Sequence, residues 1–88
     1  MNIKEVKSAY TVNSKDEFLI CNSGSALVVT LGSAVGNDET YYIKNIGAGT
    51  VTITPNSPDT IDGDSTKDLL QYESCIILDY DLNTWLVL

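Results

Sequence analysis

Arginine and histidine are both absent from this 88-residue chain, and each absence excludes a class of function. Without an imidazole there is no Ser-His-Asp triad, no histidine general base and no histidine metal ligand. Without arginine, five lysines stand against twelve acidic residues, and the formal net charge is −7. Such a chain repels the phosphates of nucleic acids and the headgroups of anionic membranes. We therefore expect no nucleic-acid partner, no membrane partner and no enzymatic activity.

Long apolar runs are missing too, and the chain has only two cysteines. No run approaches the roughly 18 residues that a membrane-spanning helix requires. Cys21 and Cys75 each lie within a short apolar stretch and form no CxxC motif, so neither a zinc site nor a redox site is indicated. The favoured interpretation is two buried free thiols, and a disulfide between neighbouring strands is the open alternative.

Short runs of β-branched and aromatic residues, separated by turn residues, make up most of the sequence. Turn signals recur about every 8 to 12 residues, which is typical of all-β sandwiches and barrels. No internal repeat is strong enough to predict a solenoid. The sequence predicts an all-β fold, a small antiparallel β-sandwich or barrel-like domain, with a small roll and an intertwined oligomeric β-prism as alternatives. The predicted strands are residues 8–13, 18–21, 26–31, 40–45, 50–54, 60–61, 67–70, 74–80 and 84–88.

The first seven residues differ from the rest because they contain no glycine and no turn signal. We expect residues 1–7 to form an extended arm and residues 8–88 to form the single domain. A polar turn is expected at 14–17, ahead of the apolar strand 18–21. That strand is apolar on both faces, which indicates burial on both sides or contact with a partner.

The centre of the domain is predicted to be a hairpin within residues 41–62. Tyr41 and Ile43 share one face of its first strand, in the alternation typical of a half-buried strand. The glycines of the segment 46–49 are suited to a short hairpin loop, since glycine adopts positive φ readily. Pro55 ends the second strand because it lacks the N–H that a ladder needs.

An acidic cluster between residues 59 and 68 has two competing interpretations. Its members are Asp59, Asp62, Asp64 and Asp68. Clustered carboxylates suit calcium, but aspartate and glycine are also the commonest turn residues, and their order does not match the helix-flanked calcium loop. Turn formation is favoured, so no metal and no other cofactor is predicted. A glycosidase-type carboxylate pair is disfavoured because so small a chain offers little room for a cleft, and no catalytic residue is assigned.

The last two strands are apolar on both faces, and a small domain cannot easily cover both. Residues 74–78 and 84–88 should form a hairpin that needs apolar cover on each side. Part of that cover is expected from other subunits, which predicts an obligate oligomer. The predicted interface residues are Ile76, Leu78, Trp85, Leu86 and Leu88.

Two tyrosines are candidates for contact with a sugar. Tyr42 is expected to point outward because it alternates with Tyr41 and Ile43, and Tyr80 because it lies at a turn. Exposed aromatic rings stack on sugar rings, so both are predicted glycan contacts, although most aromatics in an all-β domain pack in the core.

Three segments together resemble a β-rich module of bacteriophage tail fibres, tailspikes and other virion appendages. They are Tyr42-Ile43-Lys44-Asn45-Ile46-Gly47, Gly49-Thr50-Val51-Thr52-Ile53-Thr54-Pro55 and Asp59-Thr60-Ile61-Asp62-Gly63. The resemblance continues through the serine-led strand at 74–78 to Asn83-Thr84-Trp85-Leu86-Val87-Leu88, and so covers roughly residues 26–88. It implies an all-β, homotrimeric structural module and no active-site residue.

The resemblance implies that the chain is made in the bacterial host cytoplasm and resides in the virion. On this view it is a decoration or appendage subunit on the capsid or tail, with itself and other virion proteins as partners. The arm at residues 1–7 would then tether the domain to the particle. The alternative is a host-receptor module of a tail fibre or tailspike that binds surface glycans.

Overall fold

The computed structural model describes residues 2–14 and 18–88, and this part of the chain is all-β. All nine sequence-predicted strands are confirmed, and one further strand precedes them. The strands are β1 Ile3–Val6, β2 Tyr10–Thr11, β3 Phe18–Cys21, β4 Leu27–Thr30, β5 Thr40–Asn45, β6 Val51–Thr54, β7 Thr60–Ile61, β8 Lys67–Leu69, β9 Ser74–Asp81 and β10 Thr84–Val87.

The strands form two sheets, and the predicted purely antiparallel arrangement is wrong. The six-stranded sheet has the order β1-β3-β5-β9-β10-β7, and the four-stranded sheet has the order β2-β4-β6-β8. β1, β3 and β5 run parallel, as do β2, β4 and β6, whereas β9 and β8 pair antiparallel with β5 and β6. Alternation of side chains is the same in parallel and antiparallel strands, so it could not predict this difference.

The chain winds through three coils, each contributing one strand to each sheet. The first coil is β1 and β2, the second is β3 and β4, and the third is β5 and β6. Phe18 pairs with Tyr42 in one sheet and Leu27 with Val51 in the other, an offset of 24 residues in both. The second and third coils are therefore a structural repeat, which was too weak in the sequence to predict a solenoid.

The predicted central hairpin is also wrong, because β5 and β6 lie in different sheets. The segment 46–49 carries the chain between the sheets and stacks on the corresponding turn of the second coil. Ile46 N–H donates to Cys21 O at 2.8 Å, and Gly49 N–H donates to Ser23 O at 2.9 Å. A Cβ added at Gly49 would overlap the backbone of Ser25. The glycine thus permits close stacking of two turns rather than a hairpin loop.

Residues 60–87, which we name the closing segment, complete both sheets beyond the third coil. β9 and β10 form the predicted antiparallel hairpin, with a register shift between Thr84 and Trp85. β7 pairs in parallel with β10 at the edge, and β8 pairs with β6. The two sheets share one core, whose largest fully buried side chains are Trp85, Leu19, Leu31, Ile43, Ile53, Ile61, Leu69, Ile77, Val29, Val51, Asn45 and Asp79.

The predicted N-terminal arm lies within the fold where it is described. Residues 3–6 form β1, the edge strand of the six-stranded sheet, and Val6 is 3% exposed in the core. Met1 of the arm and residues 15–17 of the predicted polar turn lie outside the described residues. Deleting residues 1–7 would therefore remove an edge strand and a core side chain, so the deletion would affect the stability of the fold as well as any tether.

Candidate functional site: an apolar sheet face and its groove

The outer face of the six-stranded sheet carries apolar side chains across most of its width. Alternation along each strand turns every second residue away from the core, and on β3, β9 and β10 these outward residues are largely apolar. We name this surface the apolar face. It consists of Ile3, Phe18, Ile20, Tyr42, Ile76, Leu78, Leu86 and Leu88.

Register places four of these side chains in one row across the sheet. Ile3 pairs with Phe18, Phe18 with Tyr42, and Tyr42 with Ile76. The Phe18 and Tyr42 rings stack at a centroid distance of 4.6 Å and an interplanar angle of 18°. Leu88 extends the row, since its N–H donates to Ile76 O at 2.9 Å. The row is continuous because strand pairing aligns residues that are distant in sequence.

A groove of about 420 Å³ lies on the apolar face. Its lining is mainly apolar, with the ammonium group of Lys44 and the hydroxyl groups of Tyr42 and Ser74 as polar features. The lining residues are Phe18, Ile20, Tyr42, Ile43, Lys44, Ser74, Cys75, Ile76 and Leu88. Lys44 Nζ donates to Tyr72 O at 2.7 Å, which fixes the side chain at this end of the face. A concave apolar surface with a few polar groups suits an apolar ligand or a partner side chain.

The outer face of the four-stranded sheet is different in character. Thr11 pairs with Thr30 and Thr30 with Thr54, so hydroxyl groups form a row across it. Thr52 donates from its hydroxyl to Asp68 Oδ1 at 2.9 Å. We name this surface the threonine face. Water can solvate it without a partner, and Val28 is a large exposed apolar residue there.

The five predicted interface residues divide between the surface and the core. Ile76, Leu78 and Leu86 are half-buried on the apolar face, and Leu88 is 68% exposed. Trp85 turns inward instead and is 2% exposed, with its ring 6.1 Å from that of Tyr41. Its indole Nε1 has no hydrogen-bond partner among the described residues.

The two predicted glycan contacts are not brought together. Tyr42 is 40% exposed and lines the groove beside Phe18. Tyr80 is 57% exposed but lies four residues beyond Ile76 on β9, a separation of roughly 14 Å along an extended strand. Only Tyr42 therefore belongs to a concave aromatic surface.

The acidic residues at 59–68 are used individually rather than as a cluster. Asp59 is buried and accepts a hydrogen bond from Ala34 N–H at 2.8 Å. Asp62 accepts one from Val87 N–H at 3.0 Å, while Asp68 bonds to Thr52. Within residues 2–14 and 18–88, no three acidic or thiol side chains converge in an arrangement that could hold a metal ion.

A buried carboxylate that the sequence analysis did not single out organises the loop after β4. Asp79 is 1% exposed and accepts hydrogen bonds from Val35 N–H at 3.0 Å and Gly36 N–H at 2.7 Å. It lies in phase with Cys75 and Ile77 on β9, so alternation alone would have placed it inward. Phe18 and Lys44 of the groove could be recognised only from the pairing of β3, β5 and β9.

Both cysteines are buried and neither is in a disulfide. They lie on strands that flank β5, where Cys21 pairs with Asn45 and Cys75 pairs with Ile43. Burial, and to a lesser extent the charge on Cys75, raises the pKa of Cys21 to about 11. Burial also raises the pKa of Cys75, against an opposing effect of Lys67. Both thiols are thus stabilised in the neutral, unreactive form.

In the described part of the chain, no helix has the length and apolar character needed to cross a membrane. No protein-family model matches the chain, and the searches found no significant match among curated proteins or solved structures.

Proposed function

We propose that this chain is a non-enzymatic structural protein of a bacteriophage particle, a small decoration or appendage subunit on the capsid or tail that assembles as a homotrimer. The sequence resemblance to virion appendage modules supports it, and its three segments fall in β5 and β6 of the third coil and in β7 of the closing segment. Other virion proteins would be the further partners.

The apolar face is the observation that carries this proposal. Continuous exposed apolar patches are uncommon on small monomeric proteins and mark interaction surfaces. Here the patch covers one sheet of a chain whose formal charge is −7. Next to it on the same side of the sheet, an acid, Glu5, and a base, Lys44, lie on one row with Ile20 between them. Like-charge repulsion between copies is therefore weakest where these faces meet.

The placement of the acidic residues supports a structural rather than a catalytic role. Asp59 and Asp79 are both buried, and both accept hydrogen bonds from backbone N–H groups of the loop after β4. A carboxylate occupied in this way holds the fold together instead of transferring a proton to a substrate.

Native mass spectrometry and sedimentation velocity would test the assembly. We expect a trimer for the wild type and a monomer for Ile76→Asp, because the substitution places a charge in the centre of the apolar face. Val28→Asp, on the threonine face, is the matched control and should remain trimeric. A wild-type protein that is monomeric at all accessible concentrations would contradict the assembly.

The location on the virion needs a separate experiment. Cryo-electron microscopy of purified particles should show three-fold density of this size at regular capsid or tail positions. Quantitative mass spectrometry of the same particles should give a fixed copy number per particle. Absence of the protein from purified particles would refute the virion role, whatever its oligomeric state.

A glycan-binding module of a tail fibre or tailspike is the second candidate, and the groove favours it. The Phe18 and Tyr42 rings stack on each other and line a concave surface, where the outer face of a ring is suited to contact a sugar. Calorimetric titration with host surface oligosaccharides should then show binding that Tyr42→Ala removes and Tyr80→Ala retains. No heat of binding with any host oligosaccharide would eliminate this candidate.

A further inference from the structure

We propose that two separate apolar surfaces of this chain meet across the subunit boundary, so that a protrusion on one copy occupies the groove of the next. The protrusion consists of Val35 and Leu82. The inference rests on the homotrimer of the proposed function and specifies which residues form its contact.

The protrusion is among the most exposed apolar features in the described part of the chain. Val35 is 57% exposed and Leu82 is 67% exposed, and the two residues form an isolated antiparallel bridge. Tyr80, which is 57% exposed, lies nearby at the end of β9. Paired apolar side chains that project into water have no role in the core and are suited to fill a pocket elsewhere.

The protrusion is held rigidly by hydrogen bonds to its backbone. Val35 N–H donates to the buried carboxylate of Asp79, and Asn83 N–H donates to Ala34 O at 3.1 Å. Leu82 N–H donates to Asp81 Oδ1 at 2.8 Å. A surface fixed before association loses little conformational entropy on binding. These contacts therefore favour a role as a preformed anchor.

The groove offers an apolar volume at the other end of β9. Lys44 pairs with Ser74 at the start of that strand, whereas Leu82 follows its last residue. Seven residues of extended chain separate Ser74 from Asp81, which corresponds to roughly 24 Å. Protrusion and groove thus cannot meet within one copy.

Charge complementarity indicates that the occupant is a second copy. The exposed Asp81 adjoins the protrusion, and Lys44 lines the groove. When Leu82 of one copy enters the groove of the next, Asp81 comes close to Lys44 of that neighbour. Opposite charges at the rim of an apolar contact direct the orientation of association.

Two different surfaces at opposite ends of the molecule are what a ring requires. A head-to-tail contact whose rotation closes gives a cyclic oligomer, whereas a two-fold dimer brings one surface against itself. Tyr72 also protrudes, at 66% exposure, but it lies beside the groove because Lys44 Nζ donates to Tyr72 O. It is therefore a neighbour of the groove and not its occupant.

Charge reversal in the full-length chain tests this contact directly. Lys44→Glu and Asp81→Lys should each raise the trimer dissociation constant by about tenfold or more, measured by sedimentation velocity at low salt. The double variant should recover most of the wild-type affinity, since the pair is restored with its signs exchanged. Asp68→Lys, on the threonine face, is the control and should change the dissociation constant by less than about threefold.

Leu82→Asp removes the apolar anchor and should leave a folded monomer. Circular dichroism and thermal unfolding check its fold, and recovery by the double charge variant cannot arise from misfolding. If Leu82→Asp and Asp81→Lys stay trimeric while Ile76→Asp dissociates, this contact is wrong and the assembly proposal stands. A double variant as weak as either single variant would also overturn it. A wild-type monomer would overturn the assembly itself.

Discussion

The three coils and the closing segment hold their strands together by different means. In the coils, backbone meets backbone where the turns stack, as in the hydrogen bond from Ile46 N–H to Cys21 O. In the closing segment, carboxylate side chains reach across to other elements. Asp79 holds the loop after β4, and Asp62 holds β10.

The two regions should therefore be sensitive to opposite kinds of substitution, the coils to larger side chains and the closing segment to smaller ones. Stacked turns depend on the absence of side-chain atoms, so added atoms are harmful there. Carboxylate contacts depend on atoms that are present, so their removal is harmful because buried N–H groups lose their acceptors. Four predictions test this contrast, beginning with the largest expected effect.

Gly49→Val should separate the second and third coils. A Cβ at this position would overlap the carbonyl group of Ser25, so the backbone must move. We expect the free energy of unfolding to fall by at least about 3 kcal/mol in urea denaturation. Gly24→Ala is the control, because nothing lies within 4 Å of its added Cβ, and it should change stability by about 0.5 kcal/mol or less. Equal effects for both variants would remove the argument for close stacking.

Asp79→Ala should destabilise the closing segment by about 2 to 4 kcal/mol. It removes a buried acceptor and leaves the N–H groups of Val35 and Gly36 unpaired. Hydrogen exchange should show faster exchange of those two amides than in the wild type. Asp68→Ala, at an exposed hydrogen bond, should cost less than about 1 kcal/mol. If Asp79→Ala costs no more than this control, the closing segment does not depend on the carboxylate.

The thiol of Cys21 lies on β3 of the second coil and should make stability depend on pH. Its pKa is raised by burial from 9.0 to about 11, so the folded chain keeps the thiol neutral while the unfolded chain ionises it. The free energy of unfolding should be unaffected by this group below pH 9 and fall between about pH 9 and 11. The decrease should approach roughly 2 kcal/mol.

Urea denaturation across that pH range would measure this effect, with Cys21→Ala as the reference. The variant should show a shallower decrease, because Cys75 still contributes in the same direction. Parallel pH profiles for the two proteins would show that the Cys21 thiol is not protected.

Tyr72, between β8 and β9, gives the smallest expected effect; its carbonyl group contacts Lys44 of the third coil. Its φ of 68° is unfavourable for a bulky residue, and its side chain is 66% exposed. Tyr72→Gly should therefore raise the free energy of unfolding by up to about 1 kcal/mol. Tyr80→Gly, within strand β9, should lower it by about 1 kcal/mol. A loss of stability in Tyr72→Gly would mean that the tyrosine ring makes stabilising contacts.

The positions of the strands were predictable from sequence, and their partners were not. Alternation marks Tyr41 and Ile43 as one face of a half-buried strand in any sheet, since side-chain period is a local property. Pairing depends on how the turns pack, and Gly49 fits a hairpin loop as well as a stacked turn. The repeat was hidden in the sequence because, of the residues that pair between the second and third coils, only Thr30 and Thr54 are identical.

The candidate site was predictable only in part, because side-chain alternation is visible in the sequence and strand pairing is not. The two-faced strands identified Ile76 and Leu78 as surface apolar residues, because no inner layer could cover both sides of β9. The inward position of Trp85 follows from the register shift beside Thr84, which no sequence pattern indicates. The groove required the pairing of Phe18 with Tyr42, two residues that only the tertiary fold brings together.

The constant offset of 24 residues between the second and third coils makes the height of this fold adjustable. A further coil of that length, inserted between them with glycines at the turn, would pair in register with both neighbours. Each such coil would lengthen the molecule by about 4.8 Å and leave the edge strand and the closing segment unchanged. The number of coils can therefore set the distance between the edge strand and the closing segment in discrete steps of one strand spacing.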